Sequence, residues 1–219
     1  MNCIQERHGR GNGVSGWISS VDPPPQAPKI GIEHSMELVG RNFEVTAIRD
    51  ALRAAGSGRG VTLLISGEVG IGKTRLAGAV ADLAAGQKVV VLTGRASPSG
   101  SAPALWPWYQ VLAGRPERDL LPSAADVGAV GEGLRARWEA LARVAAALAS
   151  SSAGTATVII LEDMHWADDS SLQLLQACAG LPGLMVAVTF RGPEAFDKLR
   201  EPVAAMRAIP GTTSLMLHP

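Results

Sequence analysis

The stretch that most narrows what this chain can fold into is LLISGEVGIGKTRLAG, Leu63 to Gly78. An apolar run ends in spaced glycines, then a lysine and a threonine, then a helical pattern with Leu76, Val80 and Leu83 on one face. Within it GEVGIGKT, Gly67 to Thr74, fits the phosphate-loop pattern of a glycine, four residues and Gly-Lys-Thr. Gly67, Gly70 and Gly72 allow backbone dihedrals that other residues resist, so N–H groups can turn toward an anion. A helix beginning near Lys73 aims its positive dipole end at the same anion. Lys73 adds a full charge for the β- and γ-phosphates, and the Thr74 hydroxyl suits Mg²⁺. An incidental glycine-rich turn with no ligand is the bland alternative, and the strand–loop–helix order speaks against it.

The rest of the chain alternates in the same way. A helix with Val45, Ile48, Leu52 and Ala55 on one face precedes the strand Val61–Ser66. A second strand is expected at Val89–Gly94, followed by a long connection carrying LWPWYQ, Leu105 to Gln110. An amphipathic helix with Leu134, Trp138, Leu141 and Leu148 leads to the strand TVIILED, then to a helix around Leu172 and Leu175. The strand Leu184–Phe190, a helix to about Arg207 and a short strand at Thr213–Leu217 complete the pattern. Short, continuously apolar strands alternating with helices predict an α/β sandwich with a parallel sheet covered on both faces.

A phosphate loop needs a carboxylate at the end of a neighbouring strand, and VIILEDMHWADD, Val158 to Asp169, supplies Glu162 and Asp163. In one register Glu162 organises Mg²⁺ and Asp163 polarises the attacking water. In the other, Asp163 is the metal ligand and Met164 falls in the base position; the sequence leaves both open. Arg191 follows the strand VAVTFR and is placed at the carboxyl edge of the sheet, where ligands of open α/β sheets bind, as a sensor of the γ-phosphate.

Composition bounds the class. Hydrophobic residues make up 47% of the 219, enough for a sizeable core, while twenty basic and twenty acidic residues balance. That balance gives no nucleic-acid footprint, so DNA binding is not supported from this chain. Cys3 and Cys178 do not make a disulfide framework, the N-terminus has no signal-peptide pattern, and no stretch reads as a membrane span. A cytoplasmic protein is expected. Residues 1–35, with GRGNGVSG and DPPPQAP, are expected to be a disordered Gly/Pro-rich tail, and residues 36–219 the folded core, with Met36 as a candidate natural start.

ELVGR (Glu37–Arg41), GEVGIGKTRL, LWPWYQ, LEDMHWADDSSL (Leu161–Leu172) and VAVTFR together resemble the AAA-like ATPase domain of the STAND nucleoside triphosphatases. That group includes large LuxR-type bacterial transcriptional regulators and related cyclase-linked modules. The resemblance implies ATP and Mg²⁺ on a five-stranded parallel sheet, with ATP/ADP exchange or weak hydrolysis acting as a conformational switch. It carries nucleotide contacts onto Val39, Gly40, Gly67, Glu68, Val69, Gly70, Ile71, Gly72, Lys73, Thr74 and Arg75. Catalytic roles fall on Lys73, Glu162, Asp163 and Arg191, and metal contacts on Thr74, Glu162 and Asp163. His165, Trp166 and Asp168 match the group's motif with no chemistry assigned. Asp168 or Asp169 could simply cap the next helix, and Trp106, Trp108 and Tyr109 are expected to pack against the sheet.

The chain stops near the last core strand, so the expectation is a core truncated before the lid and carrying no effector domain. The partner implied is a second copy or a regulatory protein. The alternatives are a P-loop small-molecule kinase, for which Arg115 and Arg118 offer a phosphate-gripping pair, and a replication-initiator-like AAA+ protein.

Overall fold

The computed structural model describes residues 40–87, 89–98, 102–122, 132–152, 154–192 and 197–219, with the backbone alone at 132–134. The expectations for the tail, Cys3, Met36 and Val39 lie outside the described residues.

Five strands form one sheet: β1 (Val61–Gly67), β2 (Val90–Arg95), β3 (Thr157–Glu162), β4 (Leu184–Phe190) and β5 (Thr212–Leu217). Every pairing is parallel, and the order across the sheet is β2-β3-β4-β1-β5. Helices connect them: α1 (Asn42–Gly56), α2 (Lys73–Ala85), α3 (Trp106–Val111), α4 (Glu132–Ser151), α5 (Asp169–Cys178) and α6 (Asp197–Arg207). The expected α/β sandwich with a five-stranded parallel sheet is the observed architecture.

Alternation of side chains along each strand sorts the core into two layers. Leu63, Ile65, Val158, Ile160, Met185 and Ala187 face one way and pack with Ile48 and Leu52 of α1 and Leu76 and Val80 of α2. Leu64, Ile159, Leu161, Val186, Val188 and Phe190 face the other way, against Trp108, Leu141, Leu148, Leu172 and Leu175. β4 is buried along its whole length, which explains why its sequence is apolar throughout instead of alternating.

Three expectations are corrected. LWPWYQ is not all connection: residues from Trp106 onward form α3, with Pro107 in the first turn, where its missing N–H costs nothing. Trp138 is 42% exposed, so it does not share the buried face of Leu141 and Leu148. β2 runs from Val90 to Arg95 instead of Val89 to Gly94, which makes Arg95 a strand-end residue in register with Glu162. Cys178 is buried with a free thiol, and burial pushes its pKa upward, away from reactivity. Among the described residues, no helix is long and apolar enough to cross a membrane.

Arg115 and Arg118, the candidate phosphate grip of the kinase alternative, are engaged locally. Arg115 donates from Nε and Nη2 to the buried Glu117 at 3.2 and 3.1 Å. The Arg118 guanidinium lies over the Tyr109 ring, 5.8 Å from its centre. Glu117 also accepts from the Ser151 hydroxyl at the end of α4. Burial alone would raise the Glu117 carboxyl, but the hydrogen bonds from Ser151 and Arg115 outweigh it and hold the carboxyl below its ordinary 4.5.

A carboxylate with a lowered folded pKa contributes stability that is fully present above its unfolded value and is lost as pH falls through the folded one. Acidification below 4.5 should therefore weaken the wild-type protein more than Glu117→Gln. At neutral pH the variant should be less stable by about 2 kcal/mol. Denaturant melts across the acid range measure both effects.

Candidate functional site

All five strands run the same way, so their carboxyl ends share one edge of the sheet. The loop leaving β1 reaches α2 through three glycines with positive φ, at +155° for Gly67, +79° for Gly70 and +102° for Gly72. A Cβ at Gly67 would meet the Ile71 side chain at 2.9 Å and the Leu217 carbonyl at 3.0 Å. At Gly70 and Gly72 a Cβ would meet nothing within 4 Å, so the requirement there is conformational. Lys73, the first residue of α2, is buried to 8% exposure. Its Nζ donates to the carbonyls of Gly67 at 2.8 Å and Glu68 at 2.6 Å, which ties the loop into a ring. Burial lowers the Lys73 pKa, with Asp163 opposing and Arg191 reinforcing that shift. Glu68, Val69, Thr74 and Arg75 are exposed around the same loop, and Ile71 is half-buried.

Adjacent residues of a straight strand point to opposite faces. Glu162 and Asp163 escape that rule because Asp163 leaves the strand with a left-handed φ of +56°, a conformation that aspartate tolerates better than most residues. Its N–H donates to Thr189 Oγ1, near the end of β4, at 3.0 Å, which fixes the turn. The chain then enters a short 3₁₀ turn, Met164–Trp166. Met164 is wholly buried in the core and so cannot face a water at this edge.

The turn lets one guanidinium reach both acids. Arg95 Nη2 lies 3.1 Å from Glu162 Oε2 and 3.2 Å from Thr74 Oγ1, and Nε lies 3.1 Å from Asp163 Oδ2. The residues expected to hold a magnesium ion are thus gathered around one cation. Their hydroxyl and carboxylate oxygens are the hard donors that Mg²⁺ takes, usually beside water and phosphate, so the set fits the ion. Sequence reasoning missed Arg95. The available signal was a charged residue closing an otherwise apolar strand beside a carboxylate-ending one.

Arg191, after β4, lies with its guanidinium 5.7 Å from the centre of the Trp166 ring, close enough to lower the pKa of both Lys73 and His165. His165 is buried, which pushes its pKa down to about 4 and keeps it neutral at physiological pH. Gly40 is exposed at φ +76°, just before Arg41. Arg41 donates to the carbonyl of His218, beyond β5, at 2.7 Å. The adenine contact expected at Gly40 is neither assembled nor opposed by these bonds.

Asp168 is the cap of α5. Its Oδ1 accepts from the Ser171 N–H at 3.0 Å, and its Oδ2 accepts from the Ser171 hydroxyl at 2.6 Å. The same Oδ2 accepts from the N–H of Leu105 at 2.9 Å, where Leu105 holds a left-handed φ of +62°. The Trp108 indole donates to the Ser171 carbonyl at 3.0 Å from a fully buried position. Trp108 therefore packs as expected, and Asp168 ties LWPWYQ to MHWADD.

A glycine loop feeding a helix at the carboxyl edge of a parallel sheet, opposite paired strand-end acids, defines a P-loop nucleotide-binding α/β domain. The family model described as the AAA ATPase domain matches residues 37–189, more than half of the chain, and the chain belongs to that family. No curated protein matches it. Similar solved structures include the ORC2 protein of Aeropyrum pernix in ADPNP and ADP complexes, at 20% identity and TM-score 0.47, covering 82% of this chain and 48% of that one. AMPPCP-bound DnaA from Aquifex aeolicus is 15% identical with TM-score 0.44, covering 88% and 51%. Drosophila ORC bound to GC-rich DNA and Cdc6 is 13% identical with TM-score 0.45, covering 80% and 57%. The chain spans about half the length of these structures.

Asp168→Ala would remove the α5 cap and leave the Leu105 N–H without its acceptor. A loss of about 2–3 kcal/mol is expected in a denaturant melt, because a missing cap and an unpaired buried N–H each cost about 1 kcal/mol or more. Asp168→Asn should restore part of it.

Proposed function

We propose that this chain binds ATP with Mg²⁺ and acts as a nucleotide-dependent switch of the STAND type, hydrolysing slowly, within a bacterial signalling or transcriptional regulator. The observation that carries the reading is the convergence of Lys73, Thr74, Glu162, Asp163 and Arg191 on the carboxyl edge of the sheet, around the glycine loop. The finer assignment to the STAND group is supported by LWPWYQ and MHWADD, which Asp168 and Trp108 bind to each other. ATP/ADP exchange would then be read by a second copy or a regulatory protein.

Loop N–H groups from Gly70 to Thr74 and the Lys73 ammonium would hold the phosphates. Thr74 and Glu162 would hold the magnesium ion, which when bound neutralises charge on the β- and γ-phosphates. This register is favoured because the other puts Met164, which is wholly buried, in the base position. Asp163 would orient the attacking water and accept its proton. Being one methylene shorter than glutamate, it holds that water less closely, which suits a switch that stays in its ATP state for long intervals. Arg191 would sense the γ-phosphate from the end of β4.

Calorimetric titration of the full chain with ATP and Mg²⁺ tests the reading. Wild-type protein should bind, and Lys73→Ala should bind about ten- to a hundredfold more weakly, the value of a charge-assisted hydrogen bond. Asp163→Asn keeps a residue that tolerates the left-handed turn, and it should bind ATP while losing phosphate release. Well-folded wild-type protein that does not bind ATP would sink the proposal.

A further inference from the structure

Arg95 has no part in the phosphate-loop pattern, yet it makes more polar contacts to the site than Lys73 does to the acids. The same guanidinium meets Thr74 Oγ1, Glu162 Oε2 and Asp163 Oδ2 at 3.1–3.2 Å while its side chain remains 51% exposed. Its backbone is held firmly. The Gln110 side chain of α3 accepts from the Arg95 N–H at 3.2 Å and donates to the Arg95 carbonyl at 2.9 Å. The preceding residue has to be glycine, since a Cβ at Gly94 would come within 2.2 Å of the Pro107 carbonyl. α3 therefore lies directly on β2, with a fixed anchor below and a side chain open to solvent above.

We propose that Arg95 is a tethered cation that holds Thr74, Glu162 and Asp163 together in the metal-free protein and must swing away when a divalent ion takes those oxygens, so that Arg95 sets the magnesium threshold for nucleotide binding. The inference rests on the nucleotide reading above. Magnesium draws its oxygens to about 2.0–2.1 Å and keeps several waters. A guanidinium touching the same oxygens would crowd that shell and place like charges side by side. Release is within reach, because the Arg95 side chain is half exposed, with Glu162 15% and Asp163 32% exposed, and solvent-exposed ion pairs shift an equilibrium by roughly two- to fivefold each. Arg95 is thus strong enough to keep two neighbouring carboxylates from repelling each other and weak enough for a metal–nucleotide complex to displace it. Gln110 holds its backbone to α3, so the exchange requires movement of the side chain alone.

The test measures ATP affinity of the full chain across a series of free Mg²⁺ concentrations, for wild type, Arg95→Gln and Arg95→Lys. The Mg²⁺ concentration giving half of the metal-dependent gain should fall about fivefold in Arg95→Gln and less in Arg95→Lys. An unchanged threshold overturns the proposal, and so does a raised one, which would mean that Arg95 grips the nucleotide. Thermal melts with MgCl₂ alone keep the two readings apart. Arg95→Gln should melt lower than wild type without metal and regain more on adding Mg²⁺, whether or not ATP binds. Equal Mg²⁺ responses in the two proteins would overturn the tethered-cation role, whereas absent ATP binding with unequal responses would count against the nucleotide reading alone.

Discussion

Burial of the three central strands on both faces is the constraint from which the rest of this molecule follows. With Leu63 and Ile65 under one helical layer and Leu64 under the other, a central strand such as β1 has no side chain to offer solvent along its length. Along these central strands the charged groups lie at the ends, and parallel pairing puts all the carboxyl ends on one edge. The glycine loop after β1, the acids after β3, Thr189 and Arg191 at the end of β4 and Arg95 at the end of β2 share that edge, Arg95 through its register with Glu162. Two-sided burial also fixes the register. A slip of one residue in β3 would exchange Ile159 and Leu161 for Val158 and Ile160 and move Glu162 away from Arg95.

Within that edge, the left-handed turn at Asp163 does what the strand cannot. A regular strand would send Glu162 and Asp163 to opposite faces, leaving one carboxylate beside the glycine loop and the other in the helical layer. Breaking the strand at Asp163 keeps both at the edge, and the bond from its N–H to Thr189 ties the break to β4. The turn also directs Met164 into the core, so the same local geometry that presents two acids buries the residue after them. A second left-handed residue, Leu105, is held by Asp168. Among the described residues these two non-glycine positions with positive φ open the two motifs, and the Asp168 carboxylate bonds to the first of them in the chain, Leu105.

Much of this was legible in the sequence, and the exceptions are instructive. The five strands, the glycine loop and the paired acids were readable because each depends on local pattern: continuous apolar runs, glycines at fixed offsets, charges where an apolar strand stops. α3 was hidden because its six residues include proline and three aromatics, too few and too bulky to show helical periodicity; packing of Trp108 and Pro107 on the sheet stabilises it instead. Trp138 was misplaced for a related reason, since a large apolar residue at helical spacing can lie at the border of the buried face. The sequence leaves Asp168 between cap and unassigned motif residue, because a cap is local but its bond to Leu105 spans 63 positions of sequence. Arg95 was invisible as a site residue because its meaning lies in strand register, which places it opposite Glu162 only after the sheet is assembled.

Charge balance explains why the edge needs so many cations before any ligand arrives. Glu162 and Asp163 adjoin each other at the rim of an apolar core, where repulsion between them is poorly screened. Lys73 cannot offset both, since its ammonium is engaged by two loop carbonyls and its burial already disfavours the charge. Arg191 lies over Trp166 and leans toward His165, which burial keeps neutral, so that no imidazolium adds to the positive side. Arg95 reaches both acids from a half-exposed position. A nucleotide brings negative charge that suits Lys73 and Arg191, and a divalent ion brings positive charge that suits the acids. The arrival of the pair therefore leaves Arg95 as the surplus charge, and surplus charge at a half-exposed strand end has an outlet into solvent. Electrostatics thus favours coupling metal–nucleotide binding to movement of the Arg95 side chain, while Gln110 keeps its backbone in place.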